Sequence, residues 1–214
     1  MDFLPADLAA YADVHTTSES DTLRRLNRDT HAHVLWPRML SGHVQGRLLA
    51  FISQMVRPRR ILEIGTYTGY SALCLAEGLT PDGRLITIDK NEELETMARQ
   101  YWAESPYAHQ IDLRVGNAPD VIKTLTDEVF DLVFIDADKE NYALYYDMIF
   151  DHVRSGGFIM ADNVLWSGKV IDPTQAGDPV TQAVMAFNQK IHDDPRVENI
   201  LLPVRDGIMI ARKR

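Results

Sequence analysis

The stretch that decides the fold of this 214-residue chain reads Arg60-Ile-Leu-Glu-Ile-Gly-Thr-Tyr-Thr-Gly-Tyr-Ser71. Its apolar, β-branched start predicts a short buried strand, Ile61 to Ile64, because such residues favour strands. Gly65 and Gly69 then free the backbone for a tight turn, beyond which a helix is expected. The G-x-x-x-G spacing lacks the middle glycine that lets a dinucleotide site approach a pyrophosphate. Taken alone, the stretch fits equally a plain strand-turn-helix joint and a site for a nucleoside ligand without a pyrophosphate.

A second strand favours the nucleoside site. Leu85-Ile-Thr-Ile-Asp89 ends in an acid about 20 residues beyond the glycines, where folds of this kind carry the carboxylate that holds a ribose. A strand-end aspartate often only caps a helix, but here both signals occur in the expected order. Glu63 adds a carboxylate one residue before the end of a buried strand, where it needs a partner.

Composition indicates one soluble α/β domain, with a helical N-terminal extension over residues 1–57 and a Rossmann-like core over residues 58–214. The net charge of −9 argues against nucleic acid as the main partner. No apolar run approaches the roughly 20 residues of a membrane span, and the N-terminus lacks the features of a signal peptide, so a cytoplasmic protein without membrane contact is expected. Cys74 is the only cysteine, which excludes an internal disulfide and indicates a buried packing thiol.

Strands and helices alternate from Arg60 onward, which predicts a parallel sheet with helices on both faces. The predicted strands are Ile61–Ile64, Leu85–Asp89, Ile111–Val115, Phe130–Asp136, Phe158–Asp162, Asn199–Pro203 and Gly207–Arg212. The predicted helices of this region cover residues 69–78, 91–104, 118–126, 140–153 and 180–193. Only three residues separate the last two strands, too few for a parallel crossover, so these strands should form an antiparallel hairpin.

Polar side chains follow several of these strands at their carboxyl ends, where open α/β sheets bind ligands. Asp136, Asp138, Asp162 and Asn163 offer carboxylate and amide oxygens, which suit Mg²⁺, Mn²⁺ or Ca²⁺. Helix capping by Asp138 and by the Asp162-Asn163 pair is the alternative. Lys139 is either a surface lysine or a functional residue, acting as a base or as an electrostatic clamp beside such an ion.

These residues together resemble the cation-dependent O-methyltransferases that use S-adenosylmethionine (SAM), the group of caffeoyl-CoA and catechol O-methyltransferases. The matching stretches are Ile61 to Ala72, Phe130 to Tyr142, Gly156 to Val164 and Leu202 to Arg212, within a likeness that covers about residues 35 to 214. The resemblance implies the Rossmann-like class I SAM methyltransferase fold. This fold has a seven-stranded, mostly parallel sheet with an antiparallel C-terminal hairpin and helices on both faces.

The resemblance also implies roles for individual residues. The implied metal ligands are Asp136, Asp162 and Asn163, and the implied catalytic residues are Lys139, as the base near the substrate hydroxyl, and Asp136. The implied SAM contacts are Ser41, Glu63, Gly65, Tyr67, Ser71, Asp89, Ala118 and Asp136. Within this set, Asp89 holds the ribose, Ser71 and the backbone near Ser41 and Gly65 hold the methionine part, and Asp136 serves both metal and amine. The chain departs from the family before the first strand, where Ser41-Gly-His-Val-Gln-Gly46 replaces the Pro-Asp-Gln-Gly that relatives acting on acyl-CoA often carry.

The expected reaction is methyl transfer from SAM to one phenolic hydroxyl of a vicinal pair on a small aromatic acceptor, with positioning as a large part of the catalysis. The loop from Val164 to Asp178 is long enough to act as a lid. Within it, Trp166 either stacks on the acceptor or packs against the protein. A NAD-dependent oxidoreductase is one alternative, and an inactive SAM-binding scaffold is another.

A homodimer is expected from the N-terminal arm and from the family resemblance. The arm carries the apolar side chains Phe3, Leu4, Leu8 and Tyr11, which a small domain can hide only in part. The alternative is that the arm folds back on its own domain.

Overall fold

The computed structural model describes residues 4–214, and its centre is one seven-stranded sheet. The strands are β1 Arg60–Ile64, β2 Arg84–Asp89, β3 Ile111–Val115, β4 Phe130–Ile135, β5 Val153–Asp162, β6 Val197–Leu202 and β7 Ile208–Lys213. Their order across the sheet is β3-β2-β1-β4-β5-β7-β6, and β7 runs antiparallel to both neighbours. The other pairings are parallel, so the predicted fold with its C-terminal hairpin is confirmed.

Eight α-helices accompany the sheet in the described residues. They are α1 Ala6–Val14, α2 Asp21–His33, α3 Gly42–Val56, α4 Tyr70–Ala76, α5 Glu95–Ala103, α6 Ala118–Ile122, α7 Tyr142–Ile149 and α8 Pro179–Asp193. The helix predicted over residues 140–153 is too long. Residues Phe150–His152 form a 3-10 turn, and Val153 begins strand β5 by pairing with Phe130. The prediction missed this early start because Gly156 and Gly157 interrupt the apolar pattern of the strand.

Strand β1 lies inside the sheet, between β2 and β4, and is covered on both faces. Ile61 packs in the cluster that contains α3 and α4, whereas Leu62 and Ile64 pack in the cluster on the opposite side. This two-sided burial explains why the strand is a continuous apolar run interrupted only by Glu63. Cys74 on α4 is fully buried, and burial raises the pKa of its thiol to about 12. The predicted packing role of this cysteine is therefore confirmed.

The N-terminal arm contacts the rest of the protein through polar bonds. The His43 ring on α3 lies 2.8 Å from Asp13 Oδ1 and 2.7 Å from the Thr17 carbonyl oxygen. Helix α1 buries none of its residues, and Leu8 and Tyr11 stay half exposed or more. Phe3 lies outside the described residues. The homodimer remains a prediction, and sedimentation giving a monomer mass at micromolar concentration would overturn it.

None of the helices in residues 4–214 is long and apolar enough to cross a bilayer. The proposed division of the chain at residue 57 also stays a prediction, although every strand of the sheet comes from residues 60 to 213.

The packing of α3 on the end of α4 depends on Gly78. A Cβ atom at this position would lie 2.1 Å from the carbonyl carbon of Ser53 and 2.4 Å from the amide nitrogen of Gln54, and this backbone cannot move aside as a side chain can. We expect Gly78→Ala to lower the free energy of unfolding by about 1–3 kcal/mol, measured by urea unfolding followed by circular dichroism. Gly177→Ala is the control, because nothing lies within 4 Å of its Cβ position, and we expect it to stay within about 1 kcal/mol of the parent. Equal unfolding midpoints for the two variants would contradict this account.

Candidate active site

The carboxyl ends of the central strands border a cavity of about 1340 Å³. Its walls include nearly all site residues predicted from the sequence, namely Ser41, Gly65, Tyr67, Ser71, Asp89, Ala118, Asp136, Lys139, Asp162, Asn163 and Trp166. These residues come from segments far apart in the chain, and the parallel sheet brings them together. Glu63 is the exception, since it lies behind the wall.

The glycine turn brings the ends of β1 and β4 into contact. Gly65 has a φ of 104°, and a Cβ atom there would lie 2.1 Å from the Asp136 carbonyl oxygen. The Asp136 amide in turn donates to the Ile64 carbonyl over 2.8 Å. At the other end of the turn, Gly69 has a φ of 84° and faces the Trp102 indole, whose nitrogen donates to the Gly69 carbonyl over 3.0 Å. A side chain is excluded at both glycines, because each is in left-handed backbone and in close contact.

Asp89 stabilises the same turn from the end of β2. Its Oδ2 accepts hydrogen bonds from the amides of Thr66, at 2.9 Å, and Tyr67, at 2.7 Å. Its Oδ1 accepts from the Asn91 amide over 2.9 Å. Because each carboxylate oxygen accepts two hydrogen bonds, Oδ1 keeps capacity for a ligand in the cavity. Capping and ligand binding are therefore compatible roles for Asp89.

Glu63 is fully buried beneath the cavity wall and contacts Ser71, which lines the cavity. Its Oε1 accepts from the Ser71 hydroxyl and its Oε2 from the Thr87 hydroxyl, each over 2.5 Å. Burial raises the pKa of Glu63 to about 8, and the charges of Asp136 and Asp89 add to this effect while the two hydroxyl bonds oppose it. A direct cofactor contact was predicted for Glu63, but what this geometry provides is a fixed position for Ser71, which lines the cavity.

Asp136 and Asp162 follow directly after a paired position of β4 and β5, Ile135 and Ala161. Asp162 is buried. Its carboxylate accepts hydrogen bonds from Gln45 Nε2 over 2.6 Å and from the Asn163 backbone N–H over 2.7 Å. Burial raises the pKa of the Asp162 carboxyl, and the negative charge of Asp136 raises it further.

The donor set at these strand ends fits a hard divalent cation. Two mutually repelling carboxylates, of Asp136 and Asp162, stand beside the amide of Asn163 on the cavity wall. Asn163 has left-handed backbone, with a φ of 58°, and lies directly after Asp162. No cluster of three His, Cys, Asp or Glu side chains arranged for a metal occurs in residues 4–214, so an oxygen set here needs the asparagine as its third member.

Lys139 is held between the two strand ends. Its Nζ donates to Asp136 Oδ1 over 2.9 Å and to the Tyr142 hydroxyl over 2.6 Å, and that hydroxyl donates to the Asp162 carbonyl over 3.1 Å. The Lys139 side chain is only 10% exposed. The surface-lysine alternative is therefore wrong, because the ammonium is fixed beside both carboxylate-bearing segments.

Comparison with known proteins identifies the family. The family model described as O-methyltransferase matches residues 13–214. The chain belongs to this O-methyltransferase family. It is 36% identical over 207 residues to the caffeoyl-CoA O-methyltransferase of Mesembryanthemum crystallinum, covering 91% of this chain and 80% of the plant protein.

Solved structures agree with this family assignment. The O-methyltransferase of Bacillus cereus in complex with SAH has a TM-score of 0.89 at 31% identity, covering 97% of each chain. The O-methyltransferase TomG of Streptomyces achromogenes in complex with SAM has a TM-score of 0.87 at 31% identity, covering 97% of this chain and 96% of that one. The protein is a SAM-dependent O-methyltransferase. A NAD-dependent oxidoreductase does not fit this assignment.

Sequence reasoning missed three residues of the site in this O-methyltransferase. Tyr142 stands inside a quoted family motif, three residues after Lys139, and that spacing was the available signal. Gln45 and Arg205 gave no comparable signal, because they are 160 residues apart and meet only in the folded chain.

Trp166 lines the cavity at the start of the predicted lid. Its backbone is left-handed, with a φ of 48°. The preceding residue, Leu165, donates its amide to the Asp206 carbonyl over 2.8 Å, which ties this part of the loop to the β6–β7 connection. Ile171, further along, is 86% exposed. Movement of the loop stays a prediction.

Glu63 should make the stability of the ligand-free enzyme depend on pH. Its pKa is about 8 in the folded protein against an ordinary value of 4.5, so between these values the folded state holds a proton that the unfolded chain has lost. Its contribution to stability is complete below about pH 4.5 and is lost as pH rises through about 8. We expect the stability of Glu63→Gln relative to the parent to increase over this window, by at most about 1.4 kcal/mol per pH unit.

Urea unfolding at pH 5 and pH 8 measures this effect. Glu93→Gln is the control, since Glu93 is exposed on the cavity wall and its substitution should leave the difference from the parent unchanged with pH. Parallel stability profiles for Glu63→Gln and the parent would rule out the buried, protonated carboxyl.

Proposed function

We propose that this SAM-dependent O-methyltransferase methylates one hydroxyl of a small aromatic acceptor that carries two adjacent hydroxyls, with the help of a divalent cation such as Mg²⁺, Mn²⁺ or Ca²⁺. The observation that carries the proposal is that Asp136, Lys139, Asp162 and Asn163 line one cavity, with Lys139 bonded to Asp136 and, through the Tyr142 hydroxyl, linked to the Asp162 carbonyl. Two carboxylates, an amide and a fixed ammonium are the groups needed to bind a catechol-like pair of oxygens through a cation.

The residues that line the cavity support the following assignment of cofactor contacts. We assign Asp89 to the ribose hydroxyls, and Ser71 together with the backbone of Ser41 and Gly65 to the methionine part. Tyr67 and Ala118 complete this end of the cavity. Glu63 then acts by holding the Ser71 hydroxyl in place, since its own oxygens are turned to Ser71 and Thr87.

A few residues would bind and activate the acceptor hydroxyl. Asp136, Asp162 and Asn163 would hold the cation, which when bound lowers the pKa of a coordinated phenolic hydroxyl and orients it. Lys139 Nζ has three protons, of which two are directed at Asp136 and Tyr142, so one donor remains for the acceptor oxygen. The ammonium charge favours the phenolate. To act as the base, Lys139 would first release one of these protons to solvent and then accept the proton of the acceptor hydroxyl. Trp166 lies on the wall where an aromatic ring could stack.

Chelation tests the cation directly. We expect exhaustive chelation to abolish turnover of a catechol, and Mg²⁺ or Mn²⁺ to restore it, while SAM affinity changes far less. Asp162→Ala should behave like the chelated enzyme, and a monophenol should be a poor acceptor because it cannot chelate. Full turnover with the metal verified absent by elemental analysis would remove the central part of the proposal.

Lys139→Ala, in the same assay, should lower kcat by about 10²–10⁴-fold, the range typical of an acid–base group. Lys190→Ala is the matched control, because Lys190 pairs with Asp147 on the surface and should leave kcat unchanged. Binding of SAM without turnover of any acceptor in a catechol panel would favour the inactive scaffold instead.

Unpaired cations at the cavity favour an acceptor with a negative group. Sixteen of the 22 basic residues have a carboxylate within 4 Å among the described residues. Of the six others, four line the cavity: Arg38, Lys90, Lys169 and Arg205. In a protein of net charge −9, this concentration of positive side chains at one cavity is notable. The positively charged sulfonium of SAM does not require it.

Acceptors that differ only in charge test this preference. We expect 3,4-dihydroxybenzoate to have a lower KM than 3,4-dihydroxybenzylamine. Lys169→Gln should reduce the ratio of the two KM values by about 1.5- to fivefold, in the range of an exposed ion pair. Arg57→Gln is the control, since Arg57 also lacks a carboxylate partner within the described chain but lies outside the cavity. A preference for the amine, or an unchanged gap in Lys169→Gln, would contradict the anionic acceptor.

A further inference from the structure

We propose that Gln45 is a positioning residue for the Asp162 carboxylate, and that Arg205 fixes the orientation of the Gln45 amide. The inference rests on the proposed function, because it assigns Gln45 a part in holding the cation-binding carboxylate. Neither residue belongs to the set of ligands and cofactor contacts assigned above.

The first step is the immobilisation of Asp162. Gln45 on α3 is 1% exposed, and its Nε2 donates to Asp162 Oδ2 over 2.6 Å. The Asn163 backbone N–H donates to Oδ1 over 2.7 Å. With one donor on each oxygen, the carboxylate plane is fixed, and each oxygen keeps a lone pair for another partner.

The second step concerns charge. Gln45 supplies its hydrogen bond without a positive charge, so it stabilises the buried carboxylate without itself neutralising the negative charge. A lysine or arginine at this position would pair with Asp162 and compete with a cation in the cavity. A neutral donor therefore meets two requirements at once, the satisfaction of a buried polar atom and the retention of charge for a ligand.

The third step is the fixing of the amide itself. An arginine NH1 can only donate, and Arg205 NH1 lies 3.1 Å from Gln45 Oε1, so the amide nitrogen must face Asp162. The same atom donates to the carbonyl oxygens of Leu40, at 3.2 Å, and Ser41. Arg205 has a φ of 50°, a left-handed conformation that is unfavourable for a residue other than glycine. The two N–H groups of NH1 are shared among these three oxygens, and the contacts hold the residue there and link the β6–β7 connection to the start of α3.

Substitution of Gln45 would destabilise the protein even if Gln45 had only a structural role. The test therefore needs a measurement that a loss of stability alone does not change. The readout is Mn²⁺ affinity of the metal-free protein, measured by calorimetry without SAM. We expect Gln45→Met to weaken Mn²⁺ binding by about 10–100-fold, the range for losing a partner of a metal ligand, and to change SAH affinity by less than about threefold.

Gln110→Met is the matched control. Gln110 is also a buried glutamine whose Nε2 makes two hydrogen bonds, to the Thr80 and Gly83 carbonyls, but it lies outside the cavity. This variant should lose stability and keep the Mn²⁺ affinity of the parent. Arg205→Met is the second variant, in case Gln45→Met does not fold, and should weaken Mn²⁺ binding in the same direction by a smaller factor, because the amide can then turn.

Mn²⁺ affinity within twofold of the parent in both Gln45→Met and Arg205→Met would overturn the positioning role and leave the proposed function intact. An equal loss in Gln110→Met would also overturn it, because the effect would then follow stability alone. Absence of Mn²⁺ binding in the parent protein would instead overturn the cation dependence and this inference together.

Discussion

The close approach of the β1 turn to the end of β4 is the constraint on which the site depends. Because Gly65 has no side chain, the Asp136 backbone lies where a Cβ atom would otherwise be. This contact sets Asp136 between the glycine turn, held in shape by Asp89, and the segment that carries Lys139. Asp136 therefore belongs both to the turn region and to the segment of Lys139, and its position is determined by backbone contacts and not by a flexible side chain.

The treatment of buried carboxylates is a second common feature. Glu63 and Asp162 are both buried, and both are satisfied by neutral donors, namely hydroxyls for Glu63 and amides for Asp162. On the surface the chain pairs its acids with arginine or lysine instead, as in the pair of Arg154 with Asp131. At Asp162 such donors satisfy the carboxylate without adding positive charge. At Glu63, whose pKa is raised to about 8, they surround a carboxyl that holds its proton at neutral pH.

Much of the architecture could be predicted from local pattern. The apolar run before Gly65, the acid at Asp89 and the short interval before the last strand were sufficient for a parallel sheet with a terminal hairpin, and each depends on neighbours within a few residues. The same holds for Asp136 with Lys139 and for Asp162 with Asn163, since strand ends in a parallel sheet lie at one edge. Where the pattern was broken, as by Gly156 and Gly157 in β5, the prediction of element ends was wrong.

The sequence by itself determined the fold class, the family resemblance and the residues that the strand ends bring to the cavity, because periodicity and turn chemistry are local properties. Only the tertiary structure decided that Glu63 faces Ser71 and not the cavity, that Lys139 is enclosed, and that Arg205 and Gln45 meet beside Asp162. These features depend on side-chain direction and on contacts between segments up to 160 residues apart. No local pattern records such contacts, because the distances between these side chains arise only when the helices pack against the completed sheet.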